Sequence, residues 1–472
     1  MMNPHIHFVH AASFTRLLCT IAMLCTIATA FAADSPLPNR SAHTTIGTVN
    51  CTNSTCHGST TAWDDSNVLQ NEYTTWLRLD KHAKAYAVLL NEQSRSIAKK
   101  LGLKEGAHEA KICLDCHAHN PKPELRGERH IVSEGVSCEG CHGPADKYVR
   151  THTVANTSHA DNIANGLYPT DRPVAQAKLC LSCHAGDETR YVTHRIMGAG
   201  HPRISFELDT FAQLAPAHYK IDDDWRQRKG DFDNVRMWAI SQAVASQHLL
   251  NTLADPKRGR DGLFPELALF DCHACHHPMS EKKWTPRLGI GPGRMRLNDS
   301  NLLMLRAIVR ATDSANADAF SAQVTLLHQA ISGNAEAKGA DPLQLATKLS
   351  ATIDQQIAKL EKQKFDTNTQ RALLAGLLDE ARRNEFTDYA GAEQAYLSIT
   401  SLVSSLVKQG ALSKGDQVNR LNKHLANLRK LLANEDKFKP DSYAAELQAM
   451  RGDLRADVAN TTATSLVASK KP

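Results

Sequence analysis

Ten of the twelve cysteines in this chain form five pairs, and these pairs constrain the fold more than any other feature of the sequence. Each pair ends in a cysteine that histidine follows directly, and no cysteine follows Cys275 in the chain of 472 residues. The pairs and their histidines are Cys51/Cys56 with His57, Cys113/Cys116 with His117, Cys138/Cys141 with His142, Cys180/Cys183 with His184, and Cys272/Cys275 with His276. The ligand that these pairs bind therefore determines how the chain folds between Cys51 and His276.

Four of the five pairs have the spacing Cys-x-x-Cys-His, which is typical of covalent haem attachment. Two thiols on one short turn can add to the two vinyl groups of one porphyrin, and the adjacent histidine then binds the iron as the proximal ligand. Redox dithiols, zinc sites and disulfides do not need a histidine after every second cysteine.

The remaining pair, Cys51/Cys56, has four intervening residues instead of two. Taken alone, it is either a haem site or a disulfide beside an unrelated histidine. The same wide spacing occurs in tetrahaem cytochromes of the c3 type, which this pair resembles. We therefore predict five covalently bound haem c groups.

A low-spin haem that carries electrons needs a second axial ligand, and histidines outside the cysteine pairs are candidates. His82 lies in a stretch predicted as one helix over 72–90, where it would point from an apolar face. His201 lies in a stiff Gly-His-Pro turn, and His194 lies seven residues earlier. His248 is in register with apolar residues of a second predicted helix. Other histidines, among them His218, are expected to lie on the surface or behind a ligand.

The order of these features resembles the cytochrome c554 family of multihaem cytochromes. The shared features are the opening cysteine pair, then Trp76 and the dipeptide His82-Ala83, and then further Cys-x-x-Cys-His sites, over residues 45–280. The resemblance implies that His82 is a distal ligand, and that His130 and His152 match distal positions of related multihaem proteins. It also implies kinship with the hydroxylamine oxidoreductase and multihaem nitrite reductase group.

This chain departs from that family in having five attachment sites instead of four, a wide first site and a long C-terminal helical region. The resemblance also implies one haem without a distal ligand. An open haem in this chain is expected at Cys51/Cys56 or at Cys113/Cys116. The six nominated histidines are nevertheless enough to give five irons a second ligand each.

The first 32 residues have the pattern of a signal peptide. Arg16 precedes an apolar run that ends in Ala30-Phe31-Ala32, a cleavage site of small residues around a variable one. We therefore predict export to the periplasm, with a membrane anchor formed by an uncleaved leader as the alternative.

The distribution of cysteine divides the rest of the chain into a pentahaem cytochrome domain over 33–297, an α-helical domain over 298–457 and a disordered tail over 458–472. The second domain has apolar residues at three- and four-residue steps, which predicts a bundle of about six helices. Upstream, turn formers separate short helices, and the clearest helices are predicted at 72–90 and 233–253. The fold class is mainly α, an irregular haem-packed domain followed by a bundle, and a chain ending near residue 297 is expected to load its haems.

The charge distribution and the cysteine motifs reduce the number of functions that this chain could have. The 55 Lys+Arg and 50 Asp+Glu residues are scattered, without the basic stripe that nucleic-acid binding requires. Closely packed haems predict electron transfer between redox partners, such as quinol-oxidising or other cytochrome donors and acceptors, with no catalytic residue assigned. The alternative, implied by the resemblance, is an oxidoreductase with one open haem acting on a small nitrogen or sulfur compound. The bundle is expected to dock a larger electron-transfer complex or to form a homo-oligomer.

Overall fold

The computed structural model describes residues 35–261, 264–277, 294–333, 337, 339–412 and 415–468. The predicted signal peptide lies outside the described residues. Among the helices that are described, none is long and apolar enough to cross a membrane. The chain from Pro36 onward forms one compact unit.

The described chain is mainly α-helical, as predicted. The helices before residue 255 are α1 Glu72–Leu79, α2 Ala85–Val88, α3 Glu92–Leu101, α4 Lys111–His117, α5 Cys138–His142, α6 Tyr148–Thr151, α7 His159–Ala164, α8 Pro173–His184, α9 His194–Gly198, α10 Leu208–Leu214, α11 Asp223–Lys229 and α12 Asn234–Ala254. The later helices are α13 Ser300–Thr312, α14 Ser314–Ile331, α15 Pro342–Leu360, α16 Thr367–Arg382, α17 Tyr389–Lys408, α18 Asp416–Leu431 and α19 Pro440–Ala468. Two short strands, β1 Arg260–Asp261 and β2 Phe264–Pro265, pair in antiparallel fashion.

The stretch predicted as one helix over 72–90 is broken immediately before His82, so that prediction is wrong. Helix α1 ends at Leu79, and a 3-10 turn over Lys81–Lys84 leads into α2. The Asp80 carboxylate accepts a hydrogen bond from the His82 amide at 2.9 Å. Aspartate bonds readily to nearby backbone amides and therefore starts a new turn more easily than it continues a helix. His82 consequently lies on a capped turn instead of on a helix face.

Helix α12, predicted over 233–253, forms as expected and lies at the centre of the largest core. Asp233 caps its first turn by accepting a hydrogen bond from the Arg236 amide at 3.0 Å. The Trp238 side chain is fully buried, and its Nε1 donates to the Ser398 hydroxyl of α17 at 2.9 Å. One apolar core includes residues of α8 and α12 and continues through the bundle to Met450. The domain boundary at residue 297 stays a prediction, and this core extends across it.

Helices α13 to α19 form the predicted bundle, with seven helices in the described chain instead of about six. Asp341 caps α15 by accepting from the Leu343 amide at 2.9 Å, next to Pro342 at the first helical position. The last helix continues to Ala468 and thus overlaps the segment over 458–472 that was predicted as a disordered tail.

A buried group of charges fixes α13 against α16. The Glu380 carboxylate is fully buried and forms ion pairs with Arg306, with Arg310 at 2.7 Å and with Arg383 at 3.3 Å. Arg306 also pairs with Glu385 at 2.8 Å. A buried arginine that loses one of its carboxylates keeps a charge that water cannot solvate.

Replacing Glu380 by glutamine is therefore expected to lower the free energy of unfolding by about 3 kcal/mol. Thermal or urea unfolding of the purified protein measures this effect. Glu361→Gln, an exposed change on the same bundle, is the control and should change stability by less than about 0.5 kcal/mol. Equal stability of both variants would contradict a role for this charge group.

Candidate haem sites

The regular cysteine motifs lie on helices or turns that present both thiols and the histidine together. Helix α4 contains the motif that ends in His117, α5 consists of the motif that ends in His142, and α8 ends with the motif of His184. The motif of His276 begins on a 3-10 turn over Cys272–Ala274. Residues i, i+3 and i+4 of a helix lie on one side of it, so all three side chains can reach one ligand.

The wide pair closes in the same manner as a regular pair. The Cys51 carbonyl accepts a hydrogen bond from the His57 amide at 3.2 Å, as the Cys272 carbonyl does from the His276 amide at 2.8 Å. The additional residues bulge outward, and the Asn53 carbonyl closes that loop by accepting from two amides at 2.9 Å. The wide spacing therefore keeps the first cysteine and the histidine in the relation found in a regular site.

The second cysteine of the wide pair, Cys56, is exposed, as is Cys275 of a regular pair. Cys51, the first cysteine of the wide pair, is half-buried. The bulged loop is the physical reason for the exposure of Cys56, because the Cys56 amide donates to the Asn53 carbonyl at 2.9 Å and this turn leads the chain outward. Haem attachment at Cys56 therefore stays a prediction, and it requires the porphyrin to cover a thiol that the protein alone leaves open.

All ten cysteines of the described chain are free thiols, and thiols of different pairs lie beside each other. A hydrogen bond between Cys51 and Cys138 lowers the pKa of Cys51 and raises that of Cys138. A hydrogen bond with Cys116 lowers the pKa of Cys183 to about 6. The Cys51/Cys56 site is thus a neighbour of the Cys138/Cys141 site, and the Cys113/Cys116 site is a neighbour of the Cys180/Cys183 site.

Each histidine that follows a cysteine pair faces a second histidine from elsewhere in the chain. The ring centres are 6.3 Å apart for His57 and His152, 6.3 Å for His117 and His201, 6.3 Å for His142 and His218, 6.1 Å for His184 and His82, and 6.0 Å for His276 and His194. A metal–nitrogen bond of about 2 Å on each side of an ion places two opposite imidazole centres about 6 Å apart. The spacing in all five pairs therefore fits one iron between two imidazoles.

Hydrogen bonds at Nδ1 orient half of these ten imidazoles. The acceptors are Glu72 Oε2 for His57 at 3.0 Å, Asp80 Oδ1 for His82 at 2.9 Å, the Ala85 carbonyl for His117 at 3.0 Å, the Tyr148 carbonyl for His152 at 3.0 Å, and the Pro202 carbonyl for His201 at 2.8 Å. A histidine that donates from Nδ1 keeps the Nε2 lone pair free for a metal. The donor set thus suits haem iron.

Comparison with known families agrees with this geometry. Residues 50–143 match the family model described as cytochrome c554 and c-prime. This part of the chain is similar to the cytochrome c554 family. The match supports a multihaem c-type cytochrome with covalently bound haem c that transfers electrons. Neither a curated protein nor a solved structure matches the chain.

Four of the six histidines predicted as distal ligands face a histidine that follows a cysteine pair, namely His82, His152, His194 and His201. His130 instead lies 5.7 Å from His119, whose Nε2 bonds the Thr45 hydroxyl at 3.0 Å. His248 lies on α12, where burial lowers its pKa, and it has no ring contact with a proximal histidine in the described chain. The structure offers no proximal partner for these two residues.

His218 faces His142, although it was expected to lie on the surface or behind a ligand. It lies between α10 and α11, in a segment without helical periodicity, so the sequence assigns its side chain to no face. Tyr219 and Trp225 stack beside it with ring centres 5.4 Å apart. This aromatic neighbourhood is the one sequence signal that could have drawn attention to His218.

The most exposed apolar side chains of the described residues lie in the part of the chain that contains the cysteines. Leu79 is 66% exposed, Leu214 is 75% exposed and Val154 is 55% exposed, whereas helices α13 to α19 have no large hydrophobic side chain of comparable exposure in their described residues. A porphyrin is a large apolar disc, and side chains of this kind are the surface on which it packs. The residues present therefore fit the cofactor.

Proposed function

We propose that this protein is a pentahaem c-type cytochrome in which two histidines hold each iron and which passes electrons between redox proteins. The observation that carries the proposal is that five proximal histidines each face a second histidine at 6.0 to 6.3 Å. Two imidazoles occupy both axial positions of an iron and leave none for a substrate. When bound, haem supplies a one-electron couple, and the protein determines its potential.

Carboxylates make two of the ligand histidines distinctive. Glu72 accepts from His57 and Asp80 accepts from His82, whereas backbone carbonyls accept from His117, His152 and His201. An imidazole that donates to a carboxylate becomes a more basic ligand and stabilises ferric over ferrous iron. The irons of His57 and of His82 are therefore expected to have lower potentials than that of His117.

Contacts between attachment sites support electron transfer within the chain. The Cys51 and Cys138 side chains lie beside each other, as do those of Cys116 and Cys183. Porphyrins bound to neighbouring thiols are brought close to each other by the protein itself. We infer that electrons move between the haems of these neighbouring sites before they reach a partner.

The spin state of the ferric holoprotein tests the proposal against the oxidoreductase alternative. Haem content and intact mass should give five haems per chain, and electron paramagnetic resonance should show low-spin iron only. Cyanide and nitric oxide should not bind rapidly. A high-spin haem together with turnover of hydroxylamine, nitrite or tetrathionate would establish the enzyme instead.

We also propose export to the periplasm and redox proteins as partners, supported by the leader pattern and by the haem c chemistry. The mass of the mature N-terminus tests export, since cleavage after Ala32 would make Ala33 the first residue. A retained leader would indicate the membrane-anchored alternative. Sedimentation of the holoprotein tests the predicted homo-oligomer through the bundle.

Gly58 gives a direct test of the wide site. A Cβ atom at this position would lie 1.8 Å from the Thr52 carbonyl oxygen, which backbone atoms cannot accommodate without moving. Gly58→Ala is therefore expected to open the loop that positions Cys56. The Cys51/Cys56 site should then lose its low-spin haem, which intact mass and the visible spectrum measure. Gly452→Ala, where nothing lies within 4 Å of the added atom, is the control. An unchanged spectrum in Gly58→Ala would show that the loop does not define the site.

A further inference from the structure

A short segment before α10 joins one ligand histidine to the bundle. The Phe206 ring stacks on the His184 ring with centres 4.2 Å apart and planes 13° apart. The Phe206 carbonyl accepts a hydrogen bond from Gln394 of α17 at 2.9 Å. The residue that follows is Glu207, which is 1% exposed. A buried acid thus lies one residue from a ring that packs on an iron ligand.

Two buried carboxylates lie together at this point. Glu207 caps α10 and accepts from the amides of Asp209 at 2.9 Å and Thr210 at 2.8 Å. Asp209 is also 1% exposed and accepts from Gln213 at 2.8 Å and from the Ser401 hydroxyl. All of these donors are neutral. Neither carboxylate has an ion pair within the described chain, so no cation neutralises the pair directly.

The elements packed around α10 contribute few charges. From α17, Lys408 attracts Asp209 from a distance, and Glu393 is occupied by Arg203 at 3.0 Å. From α12, the Asp233 carboxylate is engaged in capping its own helix. Helix α8 contacts this segment through the His184 ring, on which Phe206 stacks. Protons therefore decide the charge of the carboxyl pair, and Phe206 links the segment that carries it to the ligand histidine His184.

Burial determines the protonation of the pair near neutral pH. Loss of solvent, reinforced by the nearby charge of Asp209, raises the pKa of Glu207 to about 7. Burial also raises the pKa of Asp209. A group of this kind gains or loses a proton when a small charge changes nearby.

We propose that the Glu207/Asp209 pair takes up one proton from solvent when the iron between His184 and His82 gains one electron from a redox partner. The inference rests on the proposed function, because it requires iron at that histidine pair. The electron reduces ferric to ferrous iron, the proton converts one carboxylate to a carboxylic acid, and no bond to the iron forms or breaks. Added negative charge in a poorly solvated region favours the neutral acid.

The coupling between proton uptake and reduction determines whether the potential rises or falls with pH. If reduction favours the proton, the proton favours reduction by the same factor, so the potential of this iron falls as pH rises. Below the pKa of the oxidised state both states are protonated and the potential is constant. Above it the potential falls until the pKa of the reduced state is passed. A tenfold difference in proton affinity between the redox states corresponds to a total fall of about 59 mV.

Potentiometric titration of the holoprotein from roughly pH 6 to 9 tests the inference, with redox-difference infrared spectra of the same samples. The wild type should show this fall for one haem and a carboxylic acid C=O band that appears on reduction. Glu207→Gln keeps an oxygen that accepts from the α10 amides, yet it should abolish both signals. Glu92→Gln, an exposed change in the first turn of α3, should alter neither.

The outcomes separate this inference from the proposed function. Five low-spin haems with the same fall of potential in Glu207→Gln would refute the proton inference alone. Fewer than five low-spin haems per chain in the wild type would refute the proposed function as well. If Glu207→Gln does not fold, Asp209→Asn provides the second variant. Absence of any reduction-induced carboxylic acid band in the wild type contradicts the inference whatever the variants show.

Discussion

Replacing His218 by alanine is expected to convert one of the five proposed low-spin haems into a high-spin haem that binds cyanide or nitric oxide. His218 is the ring that faces His142, at 6.3 Å between ring centres. His142 is half-buried, and desolvation lowers its pKa to about 4. Removal of His218 leaves that iron with one protein ligand and an open axial position. Electron paramagnetic resonance of the ferric protein measures the high-spin fraction, and the other four haems should remain low-spin.

Two further variants serve as controls for this result. His130→Ala removes a ring that lies against His119, and His248→Ala removes a ring on α12, so neither should change the spin state of any haem. A high-spin signal in His130→Ala, together with only low-spin iron in His218→Ala, would show that His130 and not His218 is the distal ligand. It would also restore the distal ligand that the family resemblance implies.

The predicted attachment sites could be nominated from the sequence because most of their geometry is local. A cysteine pair and the next histidine lie within one helical turn, so spacing alone determines which side chains meet. The wide pair required the structure, which shows that the Cys51 carbonyl still accepts from the His57 amide. Its extra residues leave that closing hydrogen bond intact, but they place Cys56 on an exposed loop, which the spacing alone does not reveal.

Which histidines face the predicted proximal ligands was only partly predictable, because this depends on contacts between distant segments. His184 meets His82 from a hundred residues away, and no periodicity encodes such a distance. His82 was nominated from a helix face that does not exist, since Asp80 starts a new turn there. His248 shows the opposite case, because a helix that forms as predicted places it away from any proximal histidine. A regular helix face indicates burial, but it does not identify what lies opposite.

The sequence also did not reveal that one apolar core extends from α12 into the bundle, for a similar reason. Helix α12 belongs by sequence to the cysteine-rich region, yet its fully buried residues pack on bundle helices. Composition changes at the point where cysteine disappears, whereas packing follows apolar surface. The absence of attachment cysteines after Cys275 therefore does not make the bundle dispensable for the haem region.

A chain that ends at Leu297 is expected to lose its stable fold, contrary to the expectation from the sequence that it would retain its haem region. Shortening exposes the apolar side chains of α12, including Trp238, Ile240, Val244 and Leu250, all at most 1% exposed in the full chain. At about 1.5 to 3 kcal/mol for each large side chain, this loss equals the whole stability of a typical domain.

The fifth site depends on the bundle most directly. The Asp271 amide, next to Cys272, donates to the Arg296 carbonyl at 2.9 Å, and Arg296 in turn forms a buried ion pair with Asp388. Tyr389 lies 6.3 Å from the His273 ring. The shortened chain can still attach haem covalently, because its cysteines remain, but it should show a broad, non-cooperative melt and loss of low-spin ligation at His276. Trp238→Ala in the full chain is the milder counterpart and should cost about 3 to 5 kcal/mol while all haems stay low-spin. A shortened chain with a cooperative melt and a complete low-spin spectrum would show that the haem region folds independently of the bundle.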